Sequence, residues 1–169
     1  IEMEHRAHHI AVTGRTGAGQ PDWGGVDQVG GEHRGPVVKT PLVERPITAS
    51  FDDDGRLLRV FGRRGEAPGE FNFPTYLSLA QGELYVTDSM NARVQVLAAD
   101  SGDHRRTIGA RGLYVGNLVR PKGVAVDSES NLYVVESYYD NLLIFGPKGE
   151  FLMPLGGTGA ATGRFFLPA

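Results

Sequence analysis

An all-β fold built from a repeated four-stranded antiparallel sheet is predicted by three observations. The first is a motif that occurs three times, at residues 65–74 (GEAPGEFNFP), 112–121 (GLYVGNLVRP) and 159–168 (GAATGRFFLP), at a constant spacing of 47 residues. Each copy keeps Gly, a second Gly four positions on, an apolar residue two after that, and Pro three later. A fixed period of this size marks a repeat architecture. The second is that each period holds four short runs of β-formers, closed by Gly, Asp, Asn and Pro clusters. The third is that no helical periodicity interrupts these runs. A four-stranded antiparallel sheet repeated at this length reads as a propeller blade, whereas a sandwich gives no reason for a constant period.

Residues 1–46 fit the repeat poorly and are read as an irregular Gly/Pro-rich segment. Within them, Gly14-Arg15-Thr16-Gly17-Ala18-Gly19 has the look of a phosphate loop. It lacks the Gly-Lys-Ser/Thr ending, and Gln20-Pro21 stands where a helix should start, so it is read as a plain loop. His5, His8 and His9 have the three- and four-residue spacing of metal pairs on a helix, but no third ligand lies nearby. They are read as part of a polar terminus.

The repeats occupy residues 47–169, divided into a partial blade (47–74) and two blades (75–121 and 122–168). Phe51-Asp52-Asp53-Asp54-Gly55 aligns two periods upstream of Phe145-Gly146-Pro147-Lys148-Gly149, and both are hairpin-turn chemistry. Consecutive Asp lacks the alternation of a calcium loop and is read as a solvated turn. Residues 57–61, 106–108 and 151–155 make the outer strands, closed by Gly62, Gly109 and Gly156. His104 is placed in the turn before the second of these. Pro74 and Pro121 open the inner strands, where no ladder donor is lost. Leu84-Tyr85-Val86 and Leu132-Tyr133-Val134 follow, then residues 94–97 and 142–145. Gly65, Gly112 and Gly159 are expected to share one backbone role, redirecting the chain between blades.

Composition narrows the chemistry. There are 17 Lys and Arg against 20 Asp and Glu, a net charge of −3, which argues against a dedicated nucleic-acid binder. Without cysteine, disulfides, thiolate metal sites and Cys nucleophiles are excluded in this chain. No apolar run approaches a membrane span. Neither a catalytic constellation nor a metal or cofactor site is identified.

Pro121-Lys122-Gly123-Val124-Ala125-Val126-Asp127, Leu84-Tyr85-Val86-Thr87-Asp88, Asn91-Ala92-Arg93-Val94-Gln95-Val96 and Gly149-Glu150-Phe151 resemble the NHL-repeat family of β-propellers, over about residues 51–168. The resemblance implies a six-bladed ring if complete, of which about two and a half to three blades lie here. It implies structural roles for Asp88, Asn91 and Arg93, the carboxylate accepting turn amides and the guanidinium bridging strands. Glu136 and Asn141 depart from the family's Asp and Arg, so the second full blade either lacks that contact or rebuilds it through Glu136.

Alternate turns of such a sheet lie at opposite ends. One end gathers Arg63, Arg64, Arg111, Arg120, Lys122, Tyr114, Tyr138 and Tyr139. The other gathers Asp52, Asp53, Asp54, Asp100, Asp103 and Glu129. Arg63, Arg64, Arg111, Tyr114, Arg120, Tyr138 and Tyr139 are the candidate partner-binding residues, since exposed aromatic and Arg side chains concentrate binding energy. For Tyr138 and Tyr139, packing between blades is the competing role. The expected function is a non-enzymatic module that binds a protein partner in an extracytoplasmic or surface assembly, periplasmic or extracellular. Two alternatives are a lyase- or lactonase-like propeller whose channel metal is held partly by blades outside this chain, and RNA binding by the basic end. A chain of fewer than three blades is expected to be a fragment, or to have its ring completed by a partner or by further blades.

Overall fold

The computed structural model describes residues 9–12, 48–51 and 57–169. Among them the fold is all-β, and the helical content is one 3-10 turn at Ser89–Asn91. β1 (His9–Val12), β2 (Thr48–Phe51) and β3 (Leu57–Phe61) form a three-stranded antiparallel sheet. β4 (Arg63–Arg64) and β5 (Glu70–Phe71) make a short parallel pair. Two four-stranded antiparallel meanders follow: β6 (Pro74–Ala80), β7 (Glu83–Asp88), β8 (Arg93–Ala98) and β9 (His104–Ile108), then β10 (Pro121–Val126), β11 (Leu132–Glu136), β12 (Asn141–Phe145) and β13 (Phe151–Gly156). Both are open sheets.

The period survives in fine geometry. Register shifts fall between Pro74 and Leu77 and again between Pro121 and Val124. Further shifts fall at Ser50/Phe51, Val96/Leu97 and Ile144/Phe145, the same point of three hairpins. Parallel pairing joins Arg64 to Phe71, Arg111 to Leu118 and Thr158 to Phe165. Gly65, Gly112 and Gly159 each donate their N–H to the carbonyl six residues ahead, at Phe71, Leu118 and Phe165.

Two positions depart from the sequence expectation. The segment read as irregular contributes β1, whose Ile-Ala-Val run pairs with β2 across the long intervening stretch. His104 opens β9 instead of lying in a turn, because the shift between Val96 and Leu97 brings it opposite Leu97. The glycine-rich 14–19 segment, His5, His8 and the Asp52-Asp53-Asp54 turn lie outside the described residues.

Each sheet packs its front on the rear of the sheet before it. Leu84, Val86 and Leu97 on the front of the first four-stranded sheet bury Phe61 and Phe71, with Leu77 alongside. Tyr85, Val94, Val96 and Ile108 on its rear meet Leu132, Val134, Leu143 and Phe145 on the front of the second. Alternation along β7, β8, β11 and β12 produces this two-faced arrangement, since successive side chains point to opposite faces. Leu118, from the connection between the two sheets, is fully buried in the second core.

That connection plugs its core because Gly109 leaves room for it. Gly109 has φ +78°, and a Cβ there would collide with Leu118. Gly62 with Phe71 and Gly156 with Phe165 repeat the arrangement one period away on each side. Gly82 has a similar φ of +75° but faces open space. Gly109→Ala is therefore expected to cost about 2–4 kcal/mol, combining left-handed strain with overpacking. Gly82→Ala is expected to cost only about 1–2 kcal/mol from the backbone. Urea midpoints of the two variants check this, and equal losses would remove Leu118 as the cause.

Candidate functional site

The turn between β7 and β8 is organised by one buried carboxylate. Asp88 is fully buried. Its Oδ1 accepts the Asn72 N–H at 2.6 Å, while Oδ2 accepts Asn91 Nδ2 at 2.8 Å and Arg93 Nε at 2.9 Å. Arg93 Nη2 then donates to the carbonyls of Glu70 at 2.8 Å and Ala67 at 3.1 Å. Asn91 Nδ2 also reaches the Gly65 carbonyl at 2.9 Å. Gln95 adds a bond from Nε2 to Glu70 O at 2.6 Å and accepts the Gly69 N–H at 2.9 Å. These side chains clamp the connection that precedes the sheet, satisfying backbone groups that a buried loop would leave orphaned.

The second sheet solves the same problem with different residues. Glu136, also fully buried, accepts the N–H groups of Val119, Arg120 and Tyr138 at 2.8–2.9 Å. Its extra methylene carries the carboxylate to the connection directly, without a guanidinium. Asn141 stands at the position of Arg93, and its buried Oδ1 has no partner. Asp140 accepts the Leu167 N–H at 2.8 Å, so the following connection is held as well.

The candidate partner-binding residues fall on the end of the sheets that carries these turns. Arg63 pairs through Nε with Glu70 Oε1 at 2.7 Å and stays largely exposed, as does Arg64. The Ala67 N–H first, and Arg63 second, hold the Glu70 carboxyl below its ordinary range. Arg111 donates through Nη2 to the Met90 carbonyl, bridging the connection to the 3-10 turn. Tyr114 is 84% exposed. Arg120 is exposed, with its backbone N–H on Glu136. Tyr138 is exposed and meets the half-buried Tyr139 edge-to-face at 4.9 Å. The Tyr139 hydroxyl reaches the Leu113 carbonyl at 3.4 Å. Arg111, Tyr114, Arg120, Tyr138 and Tyr139 thus form one neighbourhood, with Arg63 and Arg64 on the preceding connection. A cleft of about 230 Å³ opens beside them, lined by Glu66, Asn91, Arg93 and Arg111.

Sequence reasoning passed over the apolar side of this surface. Leu113 and Val115 are each 74% exposed, and Met90, whose carbonyl Arg111 meets, is exposed as well. A signal was present in the three aligned connections. The first and third place Glu66-Ala67-Pro68 and Ala160-Ala161-Thr162 where the second places Leu113-Tyr114-Val115.

At the opposite end, Glu83 is gripped by Arg106 through two bonds of 2.7 and 2.8 Å and by the Tyr85 hydroxyl at 3.0 Å. Arg106 also lies over the Tyr85 ring. The guanidinium holds the Glu83 carboxyl below its usual range, and burial, with Glu83 second, pushes the Tyr85 phenol up. Asp127 is similarly lowered, first by the Asn131 side chain. Among the described residues, no three His, Asp or Glu side chains converge as a metal site requires, and no helix is long and apolar enough to cross a membrane. Neither the protein-family models nor the curated proteins contain a match to this chain.

Two outcomes are expected. Arg93→Ala should lower stability by about 1–3 kcal/mol, the range for lost charged hydrogen bonds, measured by urea denaturation. An unchanged midpoint would show that the clamp holds without the guanidinium. Glu83→Gln should cost about 0.5–1 kcal/mol at pH 7, as for a partly exposed ion pair. Because the folded-state pKa of Glu83 is depressed, its contribution is present above the unfolded value and lost as pH falls through the lower folded value. The gap in melting temperature between the two proteins should therefore close below about pH 4. A gap undiminished at pH 3 would assign the loss to packing.

Proposed function

We propose that this chain is a non-enzymatic interaction module of NHL-like β-propeller blades that binds a protein partner on its Arg- and Tyr-bearing end. The repeat register and the stacking of successive four-stranded sheets support the propeller reading. The observation that carries the binding reading is the exposed Leu113-Tyr114-Val115 tip, flanked by Arg111 and Arg120 and joined through Tyr139 to Tyr138. Contiguous exposed apolar side chains rimmed by charge mark interaction sites. Tyr and Arg at the centre of such a patch are the residue types that dominate binding energy. The partner this surface fits carries an apolar side chain among carboxylates, which Arg64, Arg111 and Arg120 would meet.

A library of short acidic peptides with apolar centres, screened against the immobilised chain, tests this. Binders in the micromolar range are expected. Tyr114→Ala combined with Leu113→Ser should weaken them at least about tenfold while leaving the melting temperature in place, since both side chains are exposed. Binding that survives the double substitution removes the tip from the site. Salt-sensitive binding of single-stranded RNA that the same substitutions abolish would transfer the surface to the nucleic-acid alternative.

A further inference from the structure

The two four-stranded sheets can be superposed residue by residue through their ladders. On the rear of the first, Tyr85, Val96 and Arg106 lie in one row, and Thr87, Val94 and Ile108 in the next. On the rear of the second, the same rows hold Tyr133, Ile144 and Met153, then Val135, Leu142 and Leu155. In the first sheet this surface is sealed by the second: Val94 and Val96 are 0% exposed and Ile108 2%. In the second sheet Met153 is 46% and Leu155 42% exposed. The second surface is the more apolar of the two, since Met153 replaces Arg106 and Val135 replaces Thr87.

The neighbouring connection is already shaped for the same use. Phe165 rests on Gly156 as Leu118 rests on Gly109 and Phe71 on Gly62. The Gly159 N–H is bonded to the Phe165 carbonyl at 3.0 Å, as Gly112 is to Leu118. Yet Phe71 and Leu118 are fully buried by the sheet that follows each, whereas Phe165 is 38% exposed. A plug held in place by its glycine, beside two apolar rows in register, matches the half of an interface that the chain completes twice already.

We propose that the rear of the second sheet is the docking surface for a third four-stranded sheet of the same 47-residue repeat. That sheet stacks as the second does on the first and covers Met153, Leu155 and Phe165. Its front carries Leu or Val at the positions of Leu132 and Val134, and an aromatic residue at that of Phe145. The inference rests on the repeat part of the reading above. It is independent of the partner-binding end, so loss of peptide binding leaves it standing.

The test appends a second copy of residues 123–168 after Ala169, which itself stands at the position of Lys122, so that the 47-residue period is kept. Because repeat stability sums over nearest-neighbour interfaces, the extended chain should melt in one transition at least about 5 °C above the original. Amide exchange in β12 and β13 should slow at least tenfold. Met153→Lys with Leu155→Lys, at exposed positions, should leave the original chain folded and cancel the gain in the extended one. An extended chain that melts no higher overturns the proposal, as does a gain that survives the two lysines. So does a dimer of the original chain that the lysines dissolve while the appended repeat adds nothing, which would give the surface to a second copy.

Discussion

The buried carboxylate at the end of the second strand is the constraint on which the rest of the sheet arrangement depends. A connection running back across the edge of a sheet brings backbone N–H groups into contact with the core, where an unmet donor costs about 1–3 kcal/mol. Asp88 and Glu136 meet that demand from a fixed point on the sheet, accepting amides of residues 72 and 119, one period apart. Once the connection is tied there, its apolar residue has only one place to go. Phe71 and Leu118 are set down over Gly62 and Gly109, and the next strand begins at Pro74 or Pro121. The carboxylate, the plug and the proline are successive consequences of one turn geometry.

Comparing the two turns separates what is required from what is optional. The carboxylate is needed in both, but the guanidinium is present only at Arg93. Where Asn141 replaces it, Glu136 reaches further and takes three backbone amides itself. The cost is visible in Asn141, whose buried carbonyl oxygen is left without a donor. Near the opposite end, the sheets are joined more lightly, through Gln81 to Ser128 and Ser130. The sheets are therefore tied around buried carboxyl groups at one end and to each other through exposed polar contacts at the other.

Much of this was legible in the sequence because it recurs. The 47-residue period fixes the strands from Pro74 to Gly156, and the resemblance supplies the pairing of Asp88 with Arg93. What did not recur was not legible. β1 lies in a Gly/Pro-rich segment far from its partner β2 in the chain, and four residues with no second copy give no period to detect. His104 was misplaced because a register shift, which no residue type announces, carries it into β9. The exposure of Leu113 and Val115 ran against the rule that Leu and Val go inside, so a reading that sorts residues by hydrophobicity passes over them.

The same recurrence that exposes the scaffold also isolates the departure from it. The three connections share their glycines, their parallel bridge and their plug, so residues 66–68, 113–115 and 160–162 occupy equivalent tips. A tip under purely structural demand has no use for bulky apolar side chains, and two of the three carry none. Leu113-Tyr114-Val115 gains nothing from the core, since all three project into solvent. A rigid frame with one divergent, exposed loop is the usual division of labour between scaffold and recognition surface. The proposed binding at this end therefore rests on the contrast among the three copies. A single exposed Tyr would not carry it, and a basic patch alone would be ordinary surface.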